Sequence, residues 1–196
     1  MGTLLSFLKE RWGIVLGTTV VTLVITFGII GGEMYISSTG FCLSCHSMSY
    51  VHDDLKKSSH YGALGADPEC QDCHLPPQFL KRVESHIVDG VRGFIGEFTH
   101  DHSTKEKFDE YRAEYAHNAR INIKKWDSSP CRTCHKVLRP SSDETTREHK
   151  KMETENKTCI DCHQNLAHEE VPKEDIVAGM KEGKIVVKKE EEEKYK

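Results

Sequence analysis

Four short stretches decide the fold: Cys42-Leu-Ser-Cys45-His46, Cys70-Gln-Asp-Cys73-His74, Cys131-Arg-Thr-Cys134-His135 and Cys159-Ile-Asp-Cys162-His163. They contain all eight cysteines of a 196-residue chain. Each is a C-x-x-C-H frame, the attachment pattern for c-type haem. The two thiols bond to the porphyrin vinyl groups, and the histidine sits under the iron as an axial ligand. Zinc sites also pair cysteines but do not require a histidine after every pair. A thioredoxin-like redox pair is expected once, inside a βαβ pattern that this chain lacks. A disulfide framework has no need of the register. The sequence therefore predicts four covalently bound haem c groups, with iron at His46, His74, His135 and His163.

Working outward, the rest of the chain is polar. Mean hydropathy is -0.56 despite one long apolar run, so side-chain burial alone gives a thin core. Large apolar cofactors supply what is missing. The net charge is -4 with no basic stripe, which excludes nucleic acid as a partner.

The apolar run is Trp12 to Gly32, with no charged side chain. A lipid bilayer core needs about 20 such residues in a helix. Lys9 and Arg11 precede the run and Glu33 closes it. The cationic side faces the cytoplasm. Trp12 and Tyr35 suit the two interfaces. A cleaved signal peptide has a shorter apolar core and a small-residue site after it. The expectation is a single-pass protein of a bacterial inner membrane. Residues 1–11 form a cytoplasmic stub, 12–35 the transmembrane anchor and 36–168 a periplasmic tetrahaem domain.

That domain carries an internal repeat. Cys42 to Cys70 and Cys131 to Cys159 are both 28 residues, and the pairs are offset by 89. The same offset carries His60 onto His149. Two non-motif histidines at equivalent places suggest distal ligands to haem iron. His168, five residues after His163, is a third candidate without a twin. Met48 gives the first motif the form Cys-x-x-Cys-His-x-Met. A thioether there either ligates iron or packs on the porphyrin. His52, His86, His100, His102 and His117 read as surface or pocket residues.

Residues 36–74 carry haems 1 and 2, and 130–168 carry haems 3 and 4. Between them, 75–129 reads as helical, with Phe79, Val83, Ile87, Val91 and Phe94 at helical spacing. Ser103 with Glu106 offers a capping box for a second helix. Arg82, His86 and Asp89 stand at i, i+4 and i+7, on one helix face. The charged tail, 169–196, reads as a solvated or loosely helical end. No β alternation is visible. The fold class is mostly α with much irregular structure.

These pieces resemble the NapC/NirT/NrfH family of membrane-anchored tetrahaem quinol dehydrogenases. The resemblance spans about residues 12–172. It rests on the anchor, the first motif through Met48, His60-Tyr-Gly-Ala, Cys70-Gln-Asp-Cys73-His74-Leu-Pro, Lys105-Glu-Lys-Phe-Asp-Glu-Tyr-Arg112, the third motif, and Lys157-Thr-Cys-Ile-Asp-Cys-His163 with Ala167-His168. The Glu-Lys-Phe segment and His149 look more like the NapC/NirT branch. The resemblance implies oxidation of menaquinol or ubiquinol near haem 1 and electron delivery to a periplasmic reductase, of nitrate or nitrite type, or to another cytochrome. It implies that haem 1 is the odd one, with methionine ligation. It gives His60 to the third haem and His168 to the second, and leaves His149 to haem 1 or haem 4. Relatives commonly carry a lysine and an aspartate at the quinol site. Here the matching positions are His86 and Gly93, with Asp89 one turn earlier, so Arg82, His86 and Asp89 are the quinol-site candidates. The alternative is an electron relay fed by a separate membrane dehydrogenase. A terminal reductase in its own right is a third reading, against which the lack of catalytic pocket residues argues.

Overall fold

The computed structural model describes residues 6, 10–63, 65, 67–191 and 194. Most of the expected stub at 1–11, Lys9 included, lies outside them.

The apolar run forms one helix, α1, Trp12–Ser37. At 1.5 Å per residue it is about 39 Å long, enough to cross the roughly 30 Å apolar layer. Its most apolar window packs against nothing in the chain. Leu16, Val20, Leu23, Val24, Phe27 and Ile30 all point outward, as a lipid-facing helix requires. The two buried exceptions stand at its end, Glu33 and Ser37, where Ser37 Oγ donates to Glu33 at 3.2 Å.

Beyond the anchor the chain is a series of short helices. They are α2 (Thr39–Cys42), α3 (Met48–Lys57), α4 (Cys70–His74) and α5 (Phe79–Ser85). A π-helical turn, His86–Gly90, joins α5 to α6 (Val91–Thr99). Then come α7 (Lys105–Lys125), α8 (Ser129–Cys134), α9 (Asp143–Thr154), α10 (Cys159–Cys162) and α11 (Ile176–Glu182). Among the described residues the β structure is one isolated bridge, Glu174 to Val187.

The start of α7 differs from the sequence reading by one residue. Thr104, not Ser103, caps it, accepting from the Lys107 amide at 3.4 Å. The Ser103 amide is already taken by Asp101 Oδ1 at 3.0 Å.

Helix α7 organises the domain with polar side chains, because apolar ones are scarce. The buried apolar residues among those described are Leu55, Phe108, Ile160, Val171 and Ile176. Arg112 Nη1 donates to Asp54 Oδ2 at 2.8 Å and Nε to Asp109 Oδ1 at 2.7 Å. Arg120 reaches Glu174 Oε1 at 3.1 Å and Asn165 Oδ1 at 2.7 Å. Lys124 Nζ bonds Asp161, inside the fourth motif, at 2.6 Å. One helix thus holds α3, the fourth motif and the segment after it. A buried ion pair adds little net stability, but losing one partner costs several kcal/mol.

The tail departs from its reading as a solvated end. Val171, Glu174 and Ile176 are buried, and His117 Nδ1 and Arg120 both bond the Glu174 carboxylate. Gly179 lets α11 approach so closely that an added Cβ would stand 3.0 Å from His117 Cε1 and from the Lys184 carbonyl oxygen. The Lys and Glu excess that suggests a mobile end counts composition and is blind to three well-placed inward residues.

Candidate haem-binding site

Each Cys-x-x-Cys pair sits on or beside one helical turn: α2 and the residues after it, α4, α8 and α10. Residues i and i+3 share a helix face, so both thiols address one porphyrin edge. The turns are fixed by local caps. Asp72 Oδ2 accepts from the Glu69 amide at 2.8 Å, and Asp161 Oδ2 from the Thr158 amide at 2.6 Å. Asp127 and Ser128, at φ 54° and 49°, turn the chain sharply from α7 into α8. Ser128 Oγ then accepts from the Ile160 amide at 3.2 Å, joining motif three to motif four.

Three motif histidines face three of the candidate distal histidines. Ring centroids are 5.9 Å apart for His74 and His168, 6.4 Å for His60 and His135, and 6.0 Å for His149 and His163. An imidazole nitrogen binds a first-row metal at about 2 Å and the ring centre lies about 1 Å further, so two rings on one iron stand about 6 Å apart. All three separations fit a single iron between them. Two of the distal rings are oriented through their other nitrogen. His168 Nδ1 donates to the Val51 carbonyl at 3.0 Å, and His149 Nδ1 to the Thr145 carbonyl at 2.7 Å. A ligating histidine is held in this manner, which frees Nε2 for the metal. A hollow beside His149 is lined also by Leu138, Pro140, Thr146 and Lys150. Burial, with His168 adding to it, pushes His74 down to about 4. Burial also lowers His168 and His163. All three are neutral near pH 7, the form that binds metal.

The first motif is different. His46 Nε2 is 2.8 Å from the Tyr50 hydroxyl, and the ring it packs against is Tyr50. Met48, half-buried, opens α3 two residues on.

The attachment cysteines form a chain in space. The Cys42 and Cys70 thiols lie close enough to interact, which raises Cys42 and lowers Cys70. Cys131 and Cys159 do likewise, with Cys131 raised and Cys159 lowered. Cys73 and Cys134 are close enough to raise Cys73 electrostatically, after burial. The motifs therefore touch in the order one, two, three, four.

At the end of α1 the structure assembles a charged cluster. Glu33 is 3.1 Å from His86 Nδ1 and 3.3 Å from Arg82 Nε. Glu33 is the residue that sequence reasoning missed as a site member, since it reads there only as the charge that ends the apolar run. Asp89 does not join. Its carboxylate accepts from Ser85 Oγ at 3.0 Å and pairs with Arg92 at 3.7 Å. The face shared by Arg82, His86 and Asp89 assumes 3.6 residues per turn, and the π turn at His86–Gly90 breaks that register. On the far side of the first motif, Ser47 Oγ donates to Glu97 at 2.5 Å. Glu97 also holds His102 Nδ1 at 3.2 Å, and His102 Nε2 meets the Tyr115 hydroxyl at 2.6 Å. His102 and His117, read as surface or pocket residues, are buried partners of carboxylates.

Residues 7–174 match the NapC/NirT cytochrome c family, N-terminal region. The chain is 50% identical over 187 residues to the probable tetraheme cytochrome c-type protein of Nitrosomonas europaea, covering 94% of this chain and 80% of that one. It is 36% identical over 173 residues to the cytochrome c-type protein TorC of Escherichia coli K12, covering 82% of this chain but 43% of TorC. A crystal structure of the cytochrome c nitrite reductase NrfHA complex bound to the HQNO inhibitor aligns at a TM-score of 0.47 with 25% identity, covering 76% of this chain and 86% of that one. With haem-attachment motifs throughout and an apolar helix long enough to anchor it, this electron-transport chain belongs to the NapC/NirT cytochrome c family.

Proposed function

We propose that this chain oxidises quinol at the periplasmic face of the inner membrane beside its first haem motif and passes electrons through four haems to a periplasmic terminal reductase of nitrate or nitrite type. The observation that carries the reading is the Glu33, Arg82 and His86 cluster at the end of the spanning helix. Menaquinol or ubiquinol sheds two protons with its two electrons, so a base must stand within hydrogen-bond reach of its hydroxyl. Glu33 and His86 are that pair here, with Arg82 holding the carboxylate in place. Asp89 is left to fix the helix through Ser85 and Arg92.

The haems, when bound, take up single electrons and pass them along the row of motifs. Their holders follow from the facing rings: His74 with His168, His135 with His60, His163 with His149. At the first motif we assign Met48 rather than His46 to the iron, because His46 Nε2 is engaged by Tyr50. The thiols that fix the porphyrins are Cys42 and Cys45, Cys70 and Cys73, Cys131 and Cys134, and Cys159 and Cys162.

The haem domain faces the periplasm in this reading, because Arg11 lies on the other side of α1. The test is direct. The purified protein, haems oxidised and in detergent or lipid, is mixed with a menaquinol analogue. Rapid haem reduction is expected, and an unreduced protein ends the proposal. The second reading is a relay without its own quinol site, and the engagement of Asp89 by Ser85 and Arg92 favours it. Unchanged reduction rates in Glu33→Gln and His86→Ala would select it.

A further inference from the structure

The segment from α5 through α6 leaves a row of large apolar side chains uncovered. Val91, Phe94, Ile95 and Phe98 lie at i, i+3, i+4 and i+7 on α6, and Leu80, Ile87 and Val88 precede them, all exposed. Leu80 is 79% exposed and Phe98 75%. Such a contiguous row on a polar domain marks an interaction surface.

A haem is the first occupant to consider, and the geometry argues against it. Glu97 lies about 110° around α6 from the middle of the row, on the half-buried side that it shares with Gly96, and it is Glu97 that reaches Ser47, next to His46. The side of α6 turned to the first motif is therefore the polar one. The apolar row looks away from the domain.

What lies on that side follows from the other contacts of the segment. Arg82 and His86 bind Glu33, which stands where α1 leaves its apolar stretch. Glu97 binds Ser47, fourteen residues beyond Glu33 and directly after the first haem motif. One end of the segment is thus tied to the end of the spanning helix and the other to the first haem motif that follows it. An amphipathic helix so placed rests its apolar side in the boundary between headgroups and acyl chains. Arg92, 61% exposed at the edge of the row, is long enough to lift its charge to the phosphates.

We propose that the segment Phe79–Thr99 is a second, interfacial membrane contact, with Val91, Phe94, Ile95 and Phe98 immersed in the lipid surface. The inference rests on the anchor and stands whether or not the chain oxidises quinol. It sets the tilt of the haem domain, since a spanning helix alone leaves the domain free to swing about one point.

The experiment places the photoreactive residue p-benzoylphenylalanine at Phe98 or at Val137 of the full haem-loaded chain. Val137 is 71% exposed in the half carrying motifs three and four. The protein is reconstituted in vesicles of phosphatidylethanolamine and phosphatidylglycerol, irradiated and digested for mass spectrometry. Lipid adducts at position 98, several-fold above those at 137, are the expected result. No adduct at 98, equal yields at the two positions, or adducts at 98 to a second copy of the chain would each overturn the proposal. An unchanged haem spectrum in both variants confirms that the fold is intact, and quinol oxidation plays no part in the readout.

Discussion

His168 faces His74 across 5.9 Å although it follows the fourth haem motif and His74 belongs to the second. The link closes the molecule on itself. His168 also bonds the Val51 carbonyl in α3, and the next residue, Glu169, takes Asp54 through its amide at 3.3 Å. The end of the haem domain is thereby fastened to its beginning. Replacing His168 by alanine should leave all four porphyrins attached and convert one haem from low to high spin. Electron paramagnetic resonance checks this, and four unaltered low-spin signals would remove His168 from iron ligation. His60→Ala and His149→Ala should each do the same to a different haem.

Acid acts on this pair with a definite sign. His74 sits at about 4 in the folded chain against an ordinary value of 6.5. Between those values the unfolded chain binds a proton that the folded chain refuses. Stability is therefore full above pH 6.5 and falls as pH drops toward 4, by about 1.4 kcal/mol per pH unit for this group. Iron ligation, which needs the neutral ring, moves the folded value further the same way. The low-spin spectrum should survive to about pH 5, far below the ordinary imidazole range. Loss of that spectrum near pH 6.5 would contradict the assignment.

Glu33→Gln keeps the shape of the cluster and removes its base. Quinol oxidation should fall by roughly 100-fold, the lower end of what general-base catalysis contributes. Haem content and reduction by dithionite should not change. Stopped-flow reduction with a menaquinol analogue measures the difference.

Met48→His should lower the potential of one haem by something on the order of 0.1 V, because a thioether ligand holds the potential up. A potentiometric titration followed at the Soret band reports it. An unmoved set of four potentials would return the first iron to His46.

Glu174→Ala should destabilise the domain by about 3–5 kcal/mol, the cost of stranding the buried Arg120 charge. Thermal unfolding followed by the α11-side tryptic sites and by the haem spectrum reads this out. Changing Arg120 to methionine in the same chain should recover part of the loss.

Much of this was legible from residue types and their spacing. Four complete Cys-x-x-Cys-His frames point to covalent haem attachment, and 21 uncharged residues in a row are long and apolar enough to cross a membrane. The 89-residue offset from His60 to His149 marked both as candidate ligands. The partner of His149 was not legible, because the repeat says that two residues are equivalent and nothing of which ring each faces. Only the fold turns His149 to His163. Glu33 escaped for a related reason. A carboxylate at the end of an apolar run looks like a boundary until the chain returns, about fifty residues later, with Arg82 and His86. The periodicity argument that grouped Asp89 with them failed at the π turn, which local sequence does not announce.

The closeness of Cys42 to Cys70, and of Cys131 to Cys159, bears on how the protein is made. Before any porphyrin is attached, the two thiols of each couple lie side by side, and their interaction holds one of them below the ordinary thiol value. In an oxidising compartment that arrangement is one step from a disulfide. A bond so formed takes a sulfur from two motifs at once, so a single oxidation disables two prosthetic-group sites. Keeping the thiols reduced until the porphyrins are in place avoids that loss.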